Sequence, residues 1–349
     1  MKANFKELLG TELPVIQAPM AGVQDSALAI AVTNAGGLGM LPCAMLDLKQ
    51  CEQQIGQLAA AARGPYGINF FAHQASDPDP QQAEVWREQF KDDYREYGIE
   101  LPAIPTTASR LPFNASMAAL VERFRPSVVS FHFGLPDAEL LRRVRQTGAR
   151  VFSSATTLEE AIWLDRHGVD AIIAQGYEAG GHRGMFLTDD LDTQMGTLAL
   201  VSRIVKAVTV PVIAAGGIAD AKCVRAVLDL GAVAAQVGTS YLLCPEATTS
   251  ALHRHALASG HDRSTVITNV FTGRPARGFV NRLIRDHGPI SPLAPAFPHA
   301  TFASAALRSK AESMGRDDFT PMWAGQNPSG CKPVPAGDMT RALAGFQPR

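Results

Sequence analysis

A short apolar run followed by a helical stretch recurs along most of this 349-residue chain. Several runs are continuously apolar rather than alternating, as expected of strands that are buried on both faces. Strands that alternate with helices favour a parallel sheet. Eight units within about 240 residues predict an α/β fold, a closed (β/α)8 TIM barrel, whose usual size is about 250 residues. The runs cover residues 15–18, 38–41, 66–70, 128–133, 151–154, 171–175, 212–215 and 234–237.

The alternative is a doubly wound open sheet, but no GxGxxG follows the first run to favour it. Residues 249–305 lack the strand–helix rhythm and are predicted to form a smaller lid domain inserted after strand 8 of the barrel. The barrel would then cover residues 1–248, and residues 306–349 would return a helix to it. Residues 72–115 also interrupt the pattern, and their aromatic residues at helical spacing indicate packing.

Composition narrows the class of protein. Lys and Arg total 32 against 33 for Asp and Glu, a net charge of −1, which argues against a strongly basic nucleic-acid binder. The five cysteines form no CxxC or Cys/His cluster, so a metal site is not expected, and their odd number favours a reducing compartment. No apolar run reaches about 18 residues, so we expect no membrane partner and a cytoplasmic protein.

In a (β/α)8 barrel the active site lies at the carboxyl ends of the strands. Gly216 and Gly217 follow the seventh predicted strand, and Gly238 and Thr239 follow the eighth. Glycine lets backbone N–H groups approach phosphate oxygens closely, and loops after these two strands commonly bind phosphate in this fold. Tight turns would explain either pair alone, but the two pairs together favour a phosphate site.

Other strand ends carry groups suited to a planar heterocycle. The side-chain amides of Asn69 and Gln175 can donate and accept hydrogen bonds toward ring carbonyls and nitrogens. The backbone of Ala18 and Pro19 precedes Met20, whose thioether offers a soft apolar face to a ring. Ordinary strand-end capping is the alternative, and the residue types alone favour it.

Two histidines, His132 and His182, lie at predicted strand ends, where an imidazole can serve as a general base or bind an anion. His182 lies in the glycine-rich segment 178–184 (EAGGHRG). The other seven histidines, including His73, are expected to be structural or solvated. Glu178 is expected to be structural, whereas Arg183 is equally suited to attract an anion or to be solvated.

These strand ends resemble the nitronate monooxygenase family, formerly the 2-nitropropane dioxygenases, over about residues 14–326. The resemblance lies in the order of the motifs and in their agreement with the strand ends. The matching segments are 17–23 (QAPMAGV), 35–39 (AGGLG), 67–71 (GINFF), 130–136 (SFHFGLP), 174–184 (AQGYEAGGHRG), 211–219 (PVIAAGGIA), 236–239 (QVGT) and 323–326 (WAGQ).

The resemblance implies an FMN-dependent enzyme that oxidises small alkyl nitronates, such as propionate 3-nitronate, with O₂ to a carbonyl compound and nitrite. It places His182 and His132 before a small anionic nitro compound, without settling which is the base. The phosphate would be held by Gly217, Gly238 and Thr239, with Gln236 nearby. The isoalloxazine or ribityl part of FMN would contact Met20, Asn69, Gln175, Gly180 and Gly181.

One departure concerns residues 296–302 (AFPHATF), where members of the subgroup often carry tyrosines and this chain has none. A more apolar pocket, or a different substrate, is expected. The runner-up function is an FMN-dependent NAD(P)H:quinone or enoyl-thioester reductase on the same fold. A non-catalytic flavin-binding protein and a flavin-free phosphosugar enzyme are further alternatives, and the sequence leaves the oligomeric state open.

Overall fold

Eight parallel strands close into a barrel in the computed structural model, which describes residues 5–105, 110–259 and 264–346. The barrel strands are β1 (Val15–Gln17), β2 (Leu38–Pro42), β3 (Tyr66–Phe71), β4 (Val128–His132), β5 (Arg150–Ala155), β6 (Ala171–Gln175), β8 (Val212–Ala215) and β9 (Ala234–Val237). The last strand, β9, pairs with β1, with Val15 opposite Ala235. The predicted (β/α)8 barrel is therefore confirmed, and the open sheet is not found.

Helices cover the outside of the barrel. α2 (Ser26–Asn34), α3 (Leu48–Ala61), α6 (Ala115–Phe124), α7 (Ala138–Gln146), α8 (Leu158–Arg166), α9 (Thr197–Ala207) and α10 (Ala221–Asp229) each follow one strand. α14 (Ala336–Leu343) supplies the eighth, because it packs on α2, α10 and β1. Every residue of β2 and β6 is buried, as continuous apolar runs require.

The sequence suggests two capping residues, Asp220 for α10 and Thr156 for α8, and the structure confirms the first. Asp25 and Asp220 cap α2 and α10 by accepting backbone N–H bonds. The sequence predicts Thr156 as the cap of α8, but the structure shows Thr157 there. Thr156 is instead held by the Glu160 carboxylate, which accepts its N–H at 2.7 Å and its hydroxyl at 2.8 Å. The predicted capping box is therefore wrong by one residue.

A smaller unit stands over the barrel. Its antiparallel sheet joins β10 (Thr265–Thr268), β11 (Ala276–Phe279) and β7 (Gly181–His182) in that order. Its apolar cluster includes Trp86 and Tyr94 together with Leu283 and Leu307. The helices of the described chain that are not yet named, in the smaller unit and elsewhere, are α1 (Phe5–Leu9), α4 (Pro80–Glu88), α5 (Lys91–Tyr97), α11 (Ala251–Ala258), α12 (Arg282–His287) and α13 (Thr301–Ser313).

This unit combines two parts of the sequence that interrupt the barrel pattern. The aromatic residues of α4 and α5 pack against residues from α12 and α13. α13 also runs across position 305, where the sequence places the end of the lid domain. The division into segments 1–248, 249–305 and 306–349 stays a prediction. In the part of the chain that the structure describes, no helix is long and apolar enough to cross a membrane.

Candidate functional site

A cavity of about 590 Å³ opens where the carboxyl ends of the barrel strands meet the smaller unit. The structure brings every residue proposed from the sequence to this one cavity. They are Ala18, Pro19, Met20, Asn69, His132, Gln175, Gly180, Gly181, His182, Gly216, Gly217, Gln236, Gly238 and Thr239. Among the residues described, no group of three or more His, Cys, Asp or Glu side chains could hold a metal ion.

Two buried glutamines, Gln17 and Gln24, hold the turn after β1 in place. The Gln24 side chain accepts the Met20 N–H at 2.8 Å and donates to the Met40 carbonyl at 2.9 Å. Gln17 donates to Gln24 at 2.7 Å and to the Ala18 carbonyl. These buried bonds fix the backbone of residues 18–20 at the cavity wall, which leaves a rigid edge against which a ring can lie.

The ends of β8 and β9 form the other side of the cavity. The N–H groups of Gly217, Gly238 and Thr239 have no hydrogen-bond partner within the described ranges. Gly217 has φ +69, a conformation that L side chains rarely adopt. Asn327 holds its carbonyl at 3.1 Å. Unpaired amides at two adjacent strand ends suit a phosphate, so the residues present fit the phosphate of a nucleotide cofactor.

The two amide side chains at the strand ends have different partners. Asn69 donates to the Ser130 hydroxyl at 2.8 Å. Gln175 donates to the His182 carbonyl at 2.9 Å and accepts the Gly184 N–H at 2.8 Å. Gln175 therefore fixes the segment that carries His182, in addition to lining the cavity. Its contact with a cofactor stays a prediction.

The ring of His132 is paired at both nitrogens. Nδ1 lies 2.5 Å from the Ser154 hydroxyl, and Nε2 lies 3.0 Å from the His182 carbonyl. Burial lowers the pKa of His132 to about 4, so the ring is neutral near pH 7. Because a carbonyl can only accept, we assign the proton to Nε2 and let Nδ1 accept from Ser154. A Cβ at Gly184 would lie 2.9 Å from Cε1 of this ring, so glycine is required there.

The ring of His182 is held at one nitrogen, where Nε2 lies 2.9 Å from the Thr272 hydroxyl. Burial lowers the pKa of His182 well below its usual value, and the charge of Arg110 adds to this effect. Both candidate histidines are thus neutral near pH 7. A neutral imidazole offers one N–H donor and one acceptor, but it is a weak base when its pKa is this low.

The two charged residues beside His182 are structural. The Glu178 carboxylate caps α9, because it accepts the Thr197 N–H at 2.8 Å and the Thr197 hydroxyl at 2.7 Å. The structural role expected for Glu178 is therefore found. Arg183 is completely buried and donates to the carbonyls of Gly176 at 2.7 Å and Gln175 at 2.8 Å. It is thus neither solvated nor directed at an anion from the cavity, contrary to both expectations.

An aromatic wall faces His182. The ring of Phe297, from the segment that lacks tyrosines, lies 5.6 Å from the ring of His182 and 5.7 Å from that of Phe133. Phe71 and Trp323 lie 6.2 Å and 5.5 Å from His182. His182 is thus surrounded by aromatic rings on this side, and a pocket more apolar than that of the subgroup stays a prediction.

Several residues at the site escape sequence reasoning. Thr272 and Ser154 fix the histidine rings, and although Ser154 ends the fifth predicted strand, the sequence assigns neither residue this role. His73, expected to be structural or solvated, is buried beside Phe297 with a ring distance of 5.0 Å. Neither of its ring nitrogens has a hydrogen-bond partner in the described part of the chain. Only the tertiary structure brings these distant segments together.

The chain is similar to known proteins over nearly its whole length. Nitronate monooxygenase from Pseudomonas aeruginosa is 39% identical over 346 residues, which cover 98% of each chain. Nitronate monooxygenase from Paraburkholderia phytofirmans is also 39% identical, covering 98% of this chain and 94% of the relative.

Solved structures agree with the sequence relatives. Nitroalkane oxidase from Streptomyces ansochromogenes superposes with a TM-score of 0.87 and 37% identity, covering 98% of this chain and 97% of that one. The structure of FabK from Thermotoga maritima has a TM-score of 0.70 at 23% identity, which shows a shared fold alone. A model of the family described as nitronate monooxygenase matches residues 2–344. The barrel, the glycines at the ends of β8 and β9 and the segment that carries His182 agree with these matches, and the chain belongs to the nitronate monooxygenase family.

Proposed function

We propose that this enzyme binds FMN and oxidises small alkyl nitronates with O₂ to a carbonyl compound and nitrite. Enzymes of this family depend on a flavin. One observation carries the proposal for this chain: neutral His182 shares a cavity with unpaired amides at the ends of β8 and β9. The cavity thus offers a phosphate site and a hydrogen-bonding imidazole together. The free thiols of all five cysteines fit a cytoplasmic enzyme.

The phosphate of FMN would be held by Gly217, Gly238 and Thr239. Residues 18–20 would line one side of the ring system, with Asn69 and Gln175 in hydrogen-bonding reach of its edge. When bound, the flavin supplies the electron transfer and the reaction with O₂. The chain itself supplies the orientation of the substrate, in a cavity lined in part by Phe71, Phe271 and Trp323.

His182 is the residue we assign to the substrate, and His132 is a positioning residue. The ring of His132 is occupied by Ser154 and by the His182 carbonyl, so it fixes the backbone of His182. A nitronate is already an anion, so no carbon-bound proton has to be removed. With Nε2 accepting from the Thr272 hydroxyl, Nδ1 of His182 would carry the proton and donate it to a hydrogen bond with the nitro oxygens. The lowered pKa makes the same ring a weak base for a carbon-bound proton, which favours a nitronate over a neutral nitroalkane.

An anaerobic experiment tests this function. The visible spectrum of the purified protein is recorded, and ethyl or propyl nitronate is added without NAD(P)H before air is admitted. We expect a yellow protein whose flavin is reduced by the nitronate and which releases nitrite in air. A yellow protein whose flavin is reduced by NADH or NADPH but not by nitronate would favour the reductase instead. A colourless protein that FMN does not reconstitute would overturn the cofactor assignment.

A further inference from the structure

The turn between β10 and β11 brings the Thr272 hydroxyl to the ring of His182. Thr272 is buried, and its Oγ1 lies 2.9 Å from Nε2 of His182. The backbone of His182 pairs with Ala276 of β11, in the antiparallel sheet of the smaller unit. The smaller unit therefore holds both the backbone and the ring of a residue that lines the cavity at the ends of the barrel strands.

Two contacts fix the turn that carries Thr272. Gly273 has φ +86, and a Cβ there would overlap the Pro295 carbonyl, so the turn lies directly against that part of the backbone. The Arg274 guanidinium donates to the Met185 carbonyl, in the segment that follows β7. The residues that flank Thr272 are thus anchored on two different segments, which keeps its hydroxyl at one position beside the imidazole.

The distances around the Thr272 hydroxyl indicate where its proton lies. The proton has two acceptors in reach, Nε2 of His182 at 2.9 Å and the Arg274 carbonyl at 3.4 Å. The Arg274 N–H is also 3.4 Å away, and it can only donate to the hydroxyl oxygen. Hydrogen bonds from a hydroxyl usually span about 2.5–3.0 Å, so we assign the hydroxyl proton to Nε2. A neutral ring that accepts at Nε2 carries its own proton on Nδ1.

Nδ1 is the ring atom of His182 that a substrate can reach. It makes no hydrogen bond with the residues that the structure describes, and it is not closed off from the cavity. The tautomer of the ring therefore decides what His182 presents to the substrate. A protonated Nδ1 donates to an anionic nitronate oxygen, whereas an unprotonated Nδ1 would accept a proton from a neutral nitroalkane.

We propose that Thr272 is a positioning residue that selects anionic nitronates over neutral nitroalkanes by fixing the tautomer of His182. This inference rests on the proposed function, because it names the residue that sets substrate choice at the same site. In the opposite tautomer Nε2 would donate to Thr272, and the hydroxyl proton would have to turn to the Arg274 carbonyl at 3.4 Å. That longer bond is weaker, so the hydroxyl favours the tautomer whose Nδ1 donates.

Nitrogen NMR tests the tautomer separately from turnover. In the purified enzyme labelled with ¹⁵N-histidine, ring nitrogen shifts distinguish Nδ1–H from Nε2–H, and the signals lost in His182→Gln identify this ring. The wild type should show the Nδ1–H form near pH 7. Thr272→Val keeps the branched shape and removes the hydroxyl, so the two forms should be mixed. Thr272→Ala should match Thr272→Val, and Thr272→Ser should restore the Nδ1–H form.

Kinetics with a matched control test the consequence for substrate choice. Thr272→Val should lower kcat/KM for ethyl nitronate about 10-fold, the loss expected of one hydrogen bond to an anion. The rate with nitroethane relative to ethyl nitronate should rise by a similar factor, and Thr272→Ser should reverse both changes. Thr147→Val removes a hydroxyl that donates to the Val144 carbonyl at the end of α7, and it should change neither the tautomer nor the kinetics. The flavin content should be the same in all of these proteins.

The two proposals fail in different ways. If the Nδ1–H form depends on the Thr272 hydroxyl but no nitronate is oxidised, the tautomer assignment stands and the proposed function is wrong. If nitronates are oxidised and Thr272→Val keeps either the tautomer or the substrate preference of the wild type, the proposed function stands and the role of Thr272 is wrong. A Thr272→Ser protein that behaves like Thr272→Val would also overturn this role.

Discussion

At the residue scale, His182 and His132 differ in what holds their rings. Among the residues that the structure describes, His132 has partners at both nitrogens, whereas His182 has one at Nε2 alone, the Thr272 hydroxyl. The carbonyl of His182, and not its ring, receives the bonds from His132 and Gln175. The ring of His182 can therefore be removed without releasing the backbone that shapes the cavity.

This difference predicts the effect of His182→Ala. We expect turnover of ethyl nitronate to fall roughly 10²-fold, as is typical when a donor to a developing or bound anion is removed. The FMN content of the purified protein should change little, because the glycine ends that we assign to the phosphate are untouched. Steady-state nitrite release and the flavin-to-protein absorbance ratio measure the two quantities.

The control for this prediction is His255→Ala, which removes an exposed histidine on α11. Its turnover and flavin content should equal those of the wild type. Unchanged turnover in His182→Ala would remove that residue from the mechanism, and an equal loss of flavin and turnover would assign it to cofactor binding.

At the scale of elements, the barrel depends on close contact between strands and helices. Gly39 in β2 lies against α2, and a Cβ there would overlap the Ala29 carbonyl and lie 2.7 Å from the Thr33 hydroxyl oxygen. Gly56 in α3 differs, because a Cβ there would meet only the Phe124 ring at 3.7 Å, an ordinary contact. Alanine at these two positions is therefore expected to change the free energy of unfolding in opposite directions.

The same substitution at these two positions should have opposite effects. Gly39→Ala is expected to lower the free energy of unfolding by about 1–3 kcal/mol or more, because strand β2 and helix α2 must move apart to make room for the methyl group. Gly56→Ala should raise it by up to about 1 kcal/mol, because alanine is the better helix former. Urea unfolding of the three proteins measures both. A Gly39→Ala protein as stable as the wild type would contradict the contact between β2 and α2.

At the scale of the whole molecule, buried neutral histidines link stability to pH. Burial lowers the pKa of His73 and of His253 to about 4 from the usual 6.5. The unfolded chain therefore binds more protons than the folded one between these values. Stability is full above pH 6.5 and is lost as pH falls toward 4, because the folded state resists protonation.

We expect each of these two histidines to cost about 1.4 kcal/mol of stability for every pH unit below 6.5 within that window. Urea unfolding at pH 7 and pH 5 measures the loss. His253→Gln should reduce the difference between the two pH values, whereas His255→Gln, at an exposed position, should not. A His253→Gln protein with the pH dependence of the wild type would show that His253 does not titrate as stated.

The sequence by itself determined the barrel and the end of the barrel at which the cavity opens. Buried strands alternate with helices eight times, and local residues encode that alternation. The cavity of such a barrel lies at the carboxyl ends of its strands, so the glycine pairs and His182 could be placed there by their position in the sequence alone. Helix caps were predictable to within one residue, as at Thr157, because competing side chains such as Glu160 are visible only in three dimensions.

Only the tertiary structure decided what each site residue contacts. It paired His132 with Ser154 and the His182 carbonyl, and it buried Arg183 against carbonyls. Those contacts join segments far apart in the chain, so no local pattern marks them. A side chain's charge, pKa and hydrogen bonds are set by its neighbours in space, and sequence spacing carries no record of those neighbours.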